Sequence, residues 1–399
     1  MNRFVGTVSR GIRTPIIAEG DDIVDIVVNS ILEASKYENI EFKNKDIIAI
    51  TEAVVARAQG NYASIDDIAA DVKSKYPDGE LGLLFPILSR NRFSINLRGV
   101  ARAAKKIYLQ LSYPADEVGN QLISSEVVEQ SGINPFSTVL NEKEFYDNFG
   151  KSSHPYTGVD YIQFYKEIIE SEGCEVEIIF SNHPETLLDY TDNILTCDIH
   201  SRKDNLKRLE NAGAKVLHNI DSILSESING SGYNKEYGML GANKATEEVV
   251  KLFPNDCQEI VDQISQRLSE ESGKNIEVMI YGDGAFRDPS SKIWELADPV
   301  VSPAYTSGLA GEPEEVKLKY IADNNFSDLR GEELNEAVLD YIKHKDSEAI
   351  GKTQMLSEGT TPRKIADLVG SLADLTSGSG DKGTPVVWIQ GYFDDIAAE

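Results

Sequence analysis

Short apolar runs recur along this chain, and helical patterns stand between them. Ile47–Thr51 (IIAIT) reads as a short buried strand, and so does Glu277–Tyr281 (EVMIY). PVVWIQG, beginning at Pro385, reads as a last one. Between Leu111 and Gly232 the pattern alternates. Tyr161–Ser171 is expected as a helix, Glu175–Phe180 and Asn193–Ile199 as strands, Ser201–Asn211 as a helix and Lys215–Asn219 as a strand. Ser225–Asn234, rich in Ser, Gly and Asn, marks a loop or boundary. Further helices are expected after Gly20-Asp21-Asp22, whose carboxylates suit an N-cap, and over Asp256–Ser272, Leu334–His344 and Pro362–Asp374. Gly60 is a natural turn, and Ser377–Gly383 a loop. The fold class is therefore mixed α/β.

The 399 residues allow a large core or two to three domains. Apolar residues make up 41% and charged residues 26%, an ordinary globular balance. A net charge of −27, spread along the chain, argues against nucleic acid and anionic membrane as partners, because both select a basic footprint. The first residues hold no apolar signal segment, and no run is long enough to span a bilayer. Cys174, Cys197 and Cys257 are far apart, which leaves a disulfide framework or zinc site without support. A reduced, cytoplasmic protein is the expectation.

Two stretches can carry chemistry. In EVMIYGDG a buried strand runs into Gly282-Asp283-Gly284, which places a carboxylate at a strand's carboxyl end, where open α/β sheets bind ligands. Mg²⁺ uses one or two such carboxylates and completes its shell with water and phosphate oxygens. The same tripeptide also serves as an ordinary turn. In GMLGANKATEE, Gly238, Gly241, Ala242 and Asn243 suggest a tight connection into a helix, with Glu247 and Glu248 early in it. Such acids either hold a metal or complement the helix dipole. Arg287, four residues after Asp283, can clamp a phosphate or stand as a surface charge. Arg90, Arg92 and Arg98 suit a polyanion such as a nucleoside triphosphate, or a basic face pairing with this chain's carboxylates. The five histidines show no metal-ligand spacing. No phosphate-binding loop of the G-x-x-x-x-G-K-[ST] type and no G-x-S-x-G elbow occurs.

Taken in order, these pieces resemble the coenzyme F-420 gamma-glutamyl ligases. GIRTPIIAEGDDIVDIV is similar to that family's Gly-x-Pro-x-x-x-x-Gly-Asp-Asp-Leu opening, and NKDIIAITEAVVARAQGN to its DVLVVTSKVVSKAEGR. GMLGANKATEEVVKLFPND resembles its GFVCANAGVDxSN segment, and VMIYGDGAFRDP its DTxGRPxR motif. The tail resembles its last helix, glycine loop and PVVLVRG strand. Departures fall at Thr51-Glu52, where the family has Ser-Lys, and at Gly284, Phe286 and Gln390.

The resemblance implies a ligase-like body built from residues 1–97 and 236–399 around an inserted α/β region, 98–235. It implies Mg²⁺ or Mn²⁺ held by Glu247 and Asp283, with Asp283 and Arg287 catalytic. It places nucleotide or substrate contacts at Gly20, Asp21, Asp22, Arg57, Gly60, Asn243, Gly282 and Gly284. It further implies GTP as co-substrate, small-molecule carboxylate and amino-acid substrates, an amide product formed through an acyl phosphate, and a homodimer. The alternatives are a nucleotide- or metabolite-binding paralogue without ligase activity, and a middle region that docks a partner.

Overall fold

The computed structural model describes residues 4–90, 92–151, 153–154, 158–282, 285–287, 294–296, 302–312, 317–348, 364–377 and 382–394. The side chains of residues 285–287, 294–296 and 345–348 are outside that description. The class is mixed α/β, with two main sheets that divide the chain unequally.

The first sheet is a frame built from both ends of the sequence. Its order is Val8–Ile12, Val386–Gln390, Asp46–Thr51, Ile276–Tyr281, Ala304–Tyr305. Asp46–Thr51 and Ile276–Tyr281 run parallel, whereas Val386–Gln390 lies antiparallel to both Asp46–Thr51 and Val8–Ile12. These central strands are mostly apolar because both faces are covered, with Asp46, Glu277 and Gln390 as buried polar exceptions. Ile48, Ile50, Val278, Ile280 and Trp388 pack under the helices Ile23–Glu38 and Cys257–Ser272. Ile47, Ala49, Met279 and Val387 pack on the other face, against Ile365, Val369 and Ala373 of the helix Ile365–Ser377. Asp22 caps the first helix, accepting the Asp25 N–H at 2.9 Å.

The second sheet has six strands, all between Glu80 and Asn219. Their order is Leu140–Asn141, Glu175–Phe180, Lys106–Leu111, Glu80–Leu84, Asn193–Thr196, Val216–Asn219. Every pairing is parallel except that of the two-residue edge strand. The chain starts at the centre with Glu80–Leu84, steps outward to one side, and then returns to build the other side. Helices cover both faces. Phe93–Ala103 and Tyr161–Ser171 share a core with Leu81, Leu83 and Leu109, while Leu209 of the helix Arg202–Ala212 packs with Leu84 and Ile194. This is a doubly wound arrangement.

The helices and strands expected in the middle region form at the expected places: Tyr161–Ser171, Glu175–Phe180, Asn193–Thr196, Arg202–Ala212 and Val216–Asn219. The connection expected to lead from Gly238 into a helix does not. Asn243–Lys244 and Val249–Lys251 are the two arms of a β-hairpin, whose second arm pairs with Tyr62–Ser64. The reason is local and tertiary together. Gly238 and Gly241 adopt left-handed φ values of +49° and +75°, which stops a helix, and the strand Tyr62–Ser64 offers a free edge to the β-branched Val249-Val250. Glu247 and Glu248 therefore stand in a hairpin turn.

Candidate active site

The frame sheet gathers the ends of three strands at one edge. Thr51 and Tyr281 are register partners at the carboxyl ends of the two parallel strands. The antiparallel Val386–Gln390 brings its amino end to the same edge, and the Thr51 N–H bonds the Pro385 carbonyl at 3.0 Å. Gly282 follows at once. This is the edge where ligands bind in sheets with parallel strands.

A cleft of about 770 Å³ opens beside it, lined by Thr14, Ile17, Thr51, Arg57, Asp374 and Thr384 among others. A larger trough, about 1180 Å³, runs along the outer strand past Arg10 and Arg13. It shares Thr14 and Thr384 with the cleft but extends toward the opposite end of Asp46–Thr51, past Asn39 and Lys43. Strand direction and the position of Gly282 favour the smaller cleft as the reaction site.

The opening motif is docked onto the turn after Thr51. The helix Glu52–Ala58 carries Arg57, exposed, in its last turn. Gly20 donates its N–H to the Ala58 carbonyl at 2.8 Å. Gly60 has a left-handed φ of +62°, a conformation that favours glycine, and the exposed Glu19 side chain lies over it. Asp21 accepts the Ala18 N–H at 2.6 Å and Asp22 caps the first helix, so both carboxylates already hold backbone donors. Gln59 and Asn255 exchange two hydrogen bonds, at 2.7 and 2.9 Å, which ties this turn to the Pro254–Asp256 segment.

The remaining sequence candidates are dispersed. Asn243 is half-buried at the start of the hairpin and donates to the Gly241 carbonyl at 3.4 Å. Glu247 is exposed in the hairpin turn and pairs with Lys244 at 2.6 Å; that ammonium holds its carboxyl below the usual range. Asp283 and Gly284 lie outside the described residues, as does the side chain of Arg287, whose backbone is in the short strand Ala285–Arg287. Among the described residues no group of three or more His, Cys, Asp or Glu is placed to hold a metal. The basic cluster divides. Arg98 and Arg102 are taken up by carboxylates, both reaching Glu172 and Glu248, with Arg102 also on Asp66. Arg90 and Arg92 instead border a cavity of the second sheet.

Two groups were not picked out by the sequence reading. Lys251, on the second hairpin arm, meets Glu52 at 3.2 Å, and both side chains are largely buried. Thus the buried Glu52 carboxylate is neutralised by a cation from a segment distant in sequence. The lone Lys251 in the apolar run VVKLF was the available signal. At the other end of the sheet, Gln390 donates to the buried carboxylate of Asp46 at 2.7 Å and accepts from Arg10 at 2.8 Å.

A mixed frame sheet with a cleft at the carboxyl ends of its parallel strands, and a doubly wound sheet between its two sequence halves, make an α/β scaffold with a pocket of small-molecule size. Among the described residues no helix is long and apolar enough to cross a membrane. The family model for F420-0:Gamma-glutamyl ligase matches residues 11–391, and the chain belongs to that family. No curated protein matches the chain.

Proposed function

We propose that this chain is a nucleotide-driven acid–amino-acid ligase acting on a small-molecule carboxylate. The observation that carries the reading is the convergence of Thr51, Gly282 and Pro385 at one edge of the frame sheet, beside a cleft that Arg57 lines. GTP would transfer its terminal phosphoryl group to the substrate carboxylate, giving an acyl phosphate and GDP. The amine of glutamate would then attack the acyl carbon, lose a proton and expel phosphate, leaving an amide. Glu247 and Asp283 would hold Mg²⁺ or Mn²⁺, which neutralises phosphate charge during transfer. Carboxylate donors fit these hard cations, and Glu247, exposed in the hairpin turn, would exchange its Lys244 partner for the metal. Arg57 and Arg287 would contact phosphate oxygens, since an arginine fork matches them bidentately. The family also supports a homodimer, which sedimentation of the pure protein would test.

The test is phosphate release from GTP, with Mg²⁺ or Mn²⁺ and glutamate, across a panel of carboxylate acceptors including the deazaflavin precursor of the family. Turnover is expected in the native protein. Asp283→Asn should lower it by orders of magnitude with an unchanged melting curve; native-like turnover in that variant would sink the metal assignment.

One observation favours a second reading, a nucleotide- or metabolite-binding paralogue without turnover. The carboxylate of Glu52 and its burial against Lys251 change the charge pattern next to the cleft. Calorimetric binding of GTP with no phosphate release across the whole panel would select that reading.

A further inference from the structure

The second sheet has a ligand crevice of its own. The strand order reverses direction between Glu80–Leu84 and Asn193–Thr196, which are parallel neighbours whose following connections go to opposite sides. Doubly wound sheets bind ligands at this place, outside the carboxyl ends of the two strands. A cavity of about 220 Å³ opens there. The loop after the first of these strands lines it with Ser89 and Arg90, and the loop after the second with Cys197 and Ile199. Gly241 and Ala242 close it from the segment leading into the hairpin.

A second observation is independent of topology. Asn96, on the helix Phe93–Ala103, lines this cavity and is 3% exposed, yet its Oδ1 has no hydrogen-bond partner. A buried amide oxygen left unpaired costs about 1–3 kcal/mol, which a ligand donor would recover. The neighbouring carboxylates do not compete for it. Asp116 accepts the Leu88 N–H and the Asn120 side chain, and Glu117 accepts the N–H groups of Ile199, His200 and Ser201.

We propose that this crevice binds a small α-amino or α-hydroxy acid with an apolar side chain. The ligand's amine or hydroxyl would donate to Asn96 Oδ1, its carboxylate would meet the exposed guanidinium of Arg90, and its side chain would lie against Phe93, Ile220 and Met239. At about 220 Å³ the cavity is below the ~300–1,000 Å³ of pockets for drug-sized ligands, which excludes an intact dinucleotide.

Calorimetric titration with four probes separates the contacts. L-leucine and 2-hydroxy-4-methylpentanoate carry all three groups, 4-methylpentanoate lacks the donor, and 3-methylbutylamine lacks the carboxylate. The first two are expected to bind, and the other two at least about tenfold more weakly. Arg90→Ala, at an exposed position, and Asn96→Leu should each weaken L-leucine binding by about tenfold or more. Met239→Trp, which fills the cavity, should abolish it, while Arg57→Ala, in the other cleft, should leave it unchanged. No binding of either complete probe to the native protein would overturn the proposal. So would L-leucine binding that survives Met239→Trp, or that is as tight in Arg90→Ala as in the native chain.

Discussion

Glu52 and Lys251 form an ion pair at 3.2 Å across 199 positions of sequence, with side chains only 7% and 15% exposed. One stands at the start of the helix that leaves the central strand of the frame, the other on the hairpin that pairs with Tyr62–Ser64. The pair fixes the hairpin against the edge of the cleft.

Breaking it from one side takes a close counter-ion from a buried charge. Lys251→Met is expected to lower stability by about 3–5 kcal/mol, because the carboxylate left behind has lost its counter-ion. Adding Glu52→Leu to Lys251→Met should restore a large part of the loss, since the buried carboxylate is removed together with its Lys251 counter-ion. Urea denaturation of the two single variants and the double variant checks this. Additive losses would show that the two residues do not act as a pair.

The loop after Asn193–Thr196 should give the stability a pH dependence. Asp198 is fully buried, and burial, with the nearby Glu117 carboxylate, pushes its carboxyl up to about 6. Hydrogen bonds from Ser201 and Asn205 oppose the rise only in part. Because the folded value is raised for an acid, the protonated form is favoured by folding. The contribution is fully present below the ordinary value of 3.8 and is lost as pH rises through about 6. Relative to Asp198→Asn, the native chain should lose about 2–3 kcal/mol between pH 4 and pH 7. A pH-independent difference between the two in guanidinium melts would contradict this.

Asn61 joins segments that are distant in sequence. Its amide donates to the carbonyls of Tyr233 and Phe253, at 3.0 and 2.5 Å, and its oxygen accepts the Tyr233 N–H at 2.9 Å. Asn61→Ala leaves these backbone groups without their partner and should cost about 2–4 kcal/mol. Asn61→Asp keeps the acceptor but loses the donor, so it should not rescue the fold. Thermal melts of both variants at pH 7 are the check.

The two-arginine clamp has an unequal distribution of strength. Glu172 is the most buried carboxylate in it and receives the Nε of both Arg98 and Arg102 at 2.9 Å. Burial pushes its carboxyl up, but the two guanidinium groups overcome that and hold it below the usual 4.5. Its contribution is therefore present above that value and lost as pH falls through the depressed folded value. Glu172→Gln is expected to cost about 1–2 kcal/mol at pH 7, and Asp66→Asn, on an exposed partner, less than about 0.5 kcal/mol. Hydrogen exchange at residues 243–251 should rise in Glu172→Gln alone, because Arg98 also holds the Glu247 carbonyl and Glu248.

Much of this architecture is legible in local pattern. The helix after Asp22 and the strand Asp46–Thr51 follow from capping and apolar periodicity, and so does the alternation from Tyr161 to Asn219. Local pattern does not reveal partners. Nothing near Glu52 in sequence announces Lys251, and nothing near Val249 announces the edge at Tyr62–Ser64. The glycines and small residues from Gly238 to Asn243 suggest a connection into a helix, whereas edge pairing makes the segment a hairpin. At the site, the preference of the Gly60 turn for glycine was legible because it is a backbone constraint. The engagement of Asp21 and Asp22 with backbone donors was half legible, since a capping carboxylate and a ligand-binding one share a sequence signature. Asp283 lies outside the described residues, and its role rests on the proposed chemistry.

The pairing of Val8–Ile12 with Val386–Gln390 sets an order for events during synthesis. Val8 meets Gln390 and Ile12 meets Val386, so the outer strand of the frame waits for almost the whole chain before its neighbour exists. Asp46–Thr51 waits likewise, since both of its neighbours come from beyond residue 275. The second sheet has no such wait, because its last strand ends at Asn219. On a ribosome the inner unit can be complete while the frame is still half a sheet, with apolar edges open. A nascent chain paused before Ile276 would then carry a folded, protease-resistant centre and exposed first strands, which makes the frame the step that a chaperone would guard.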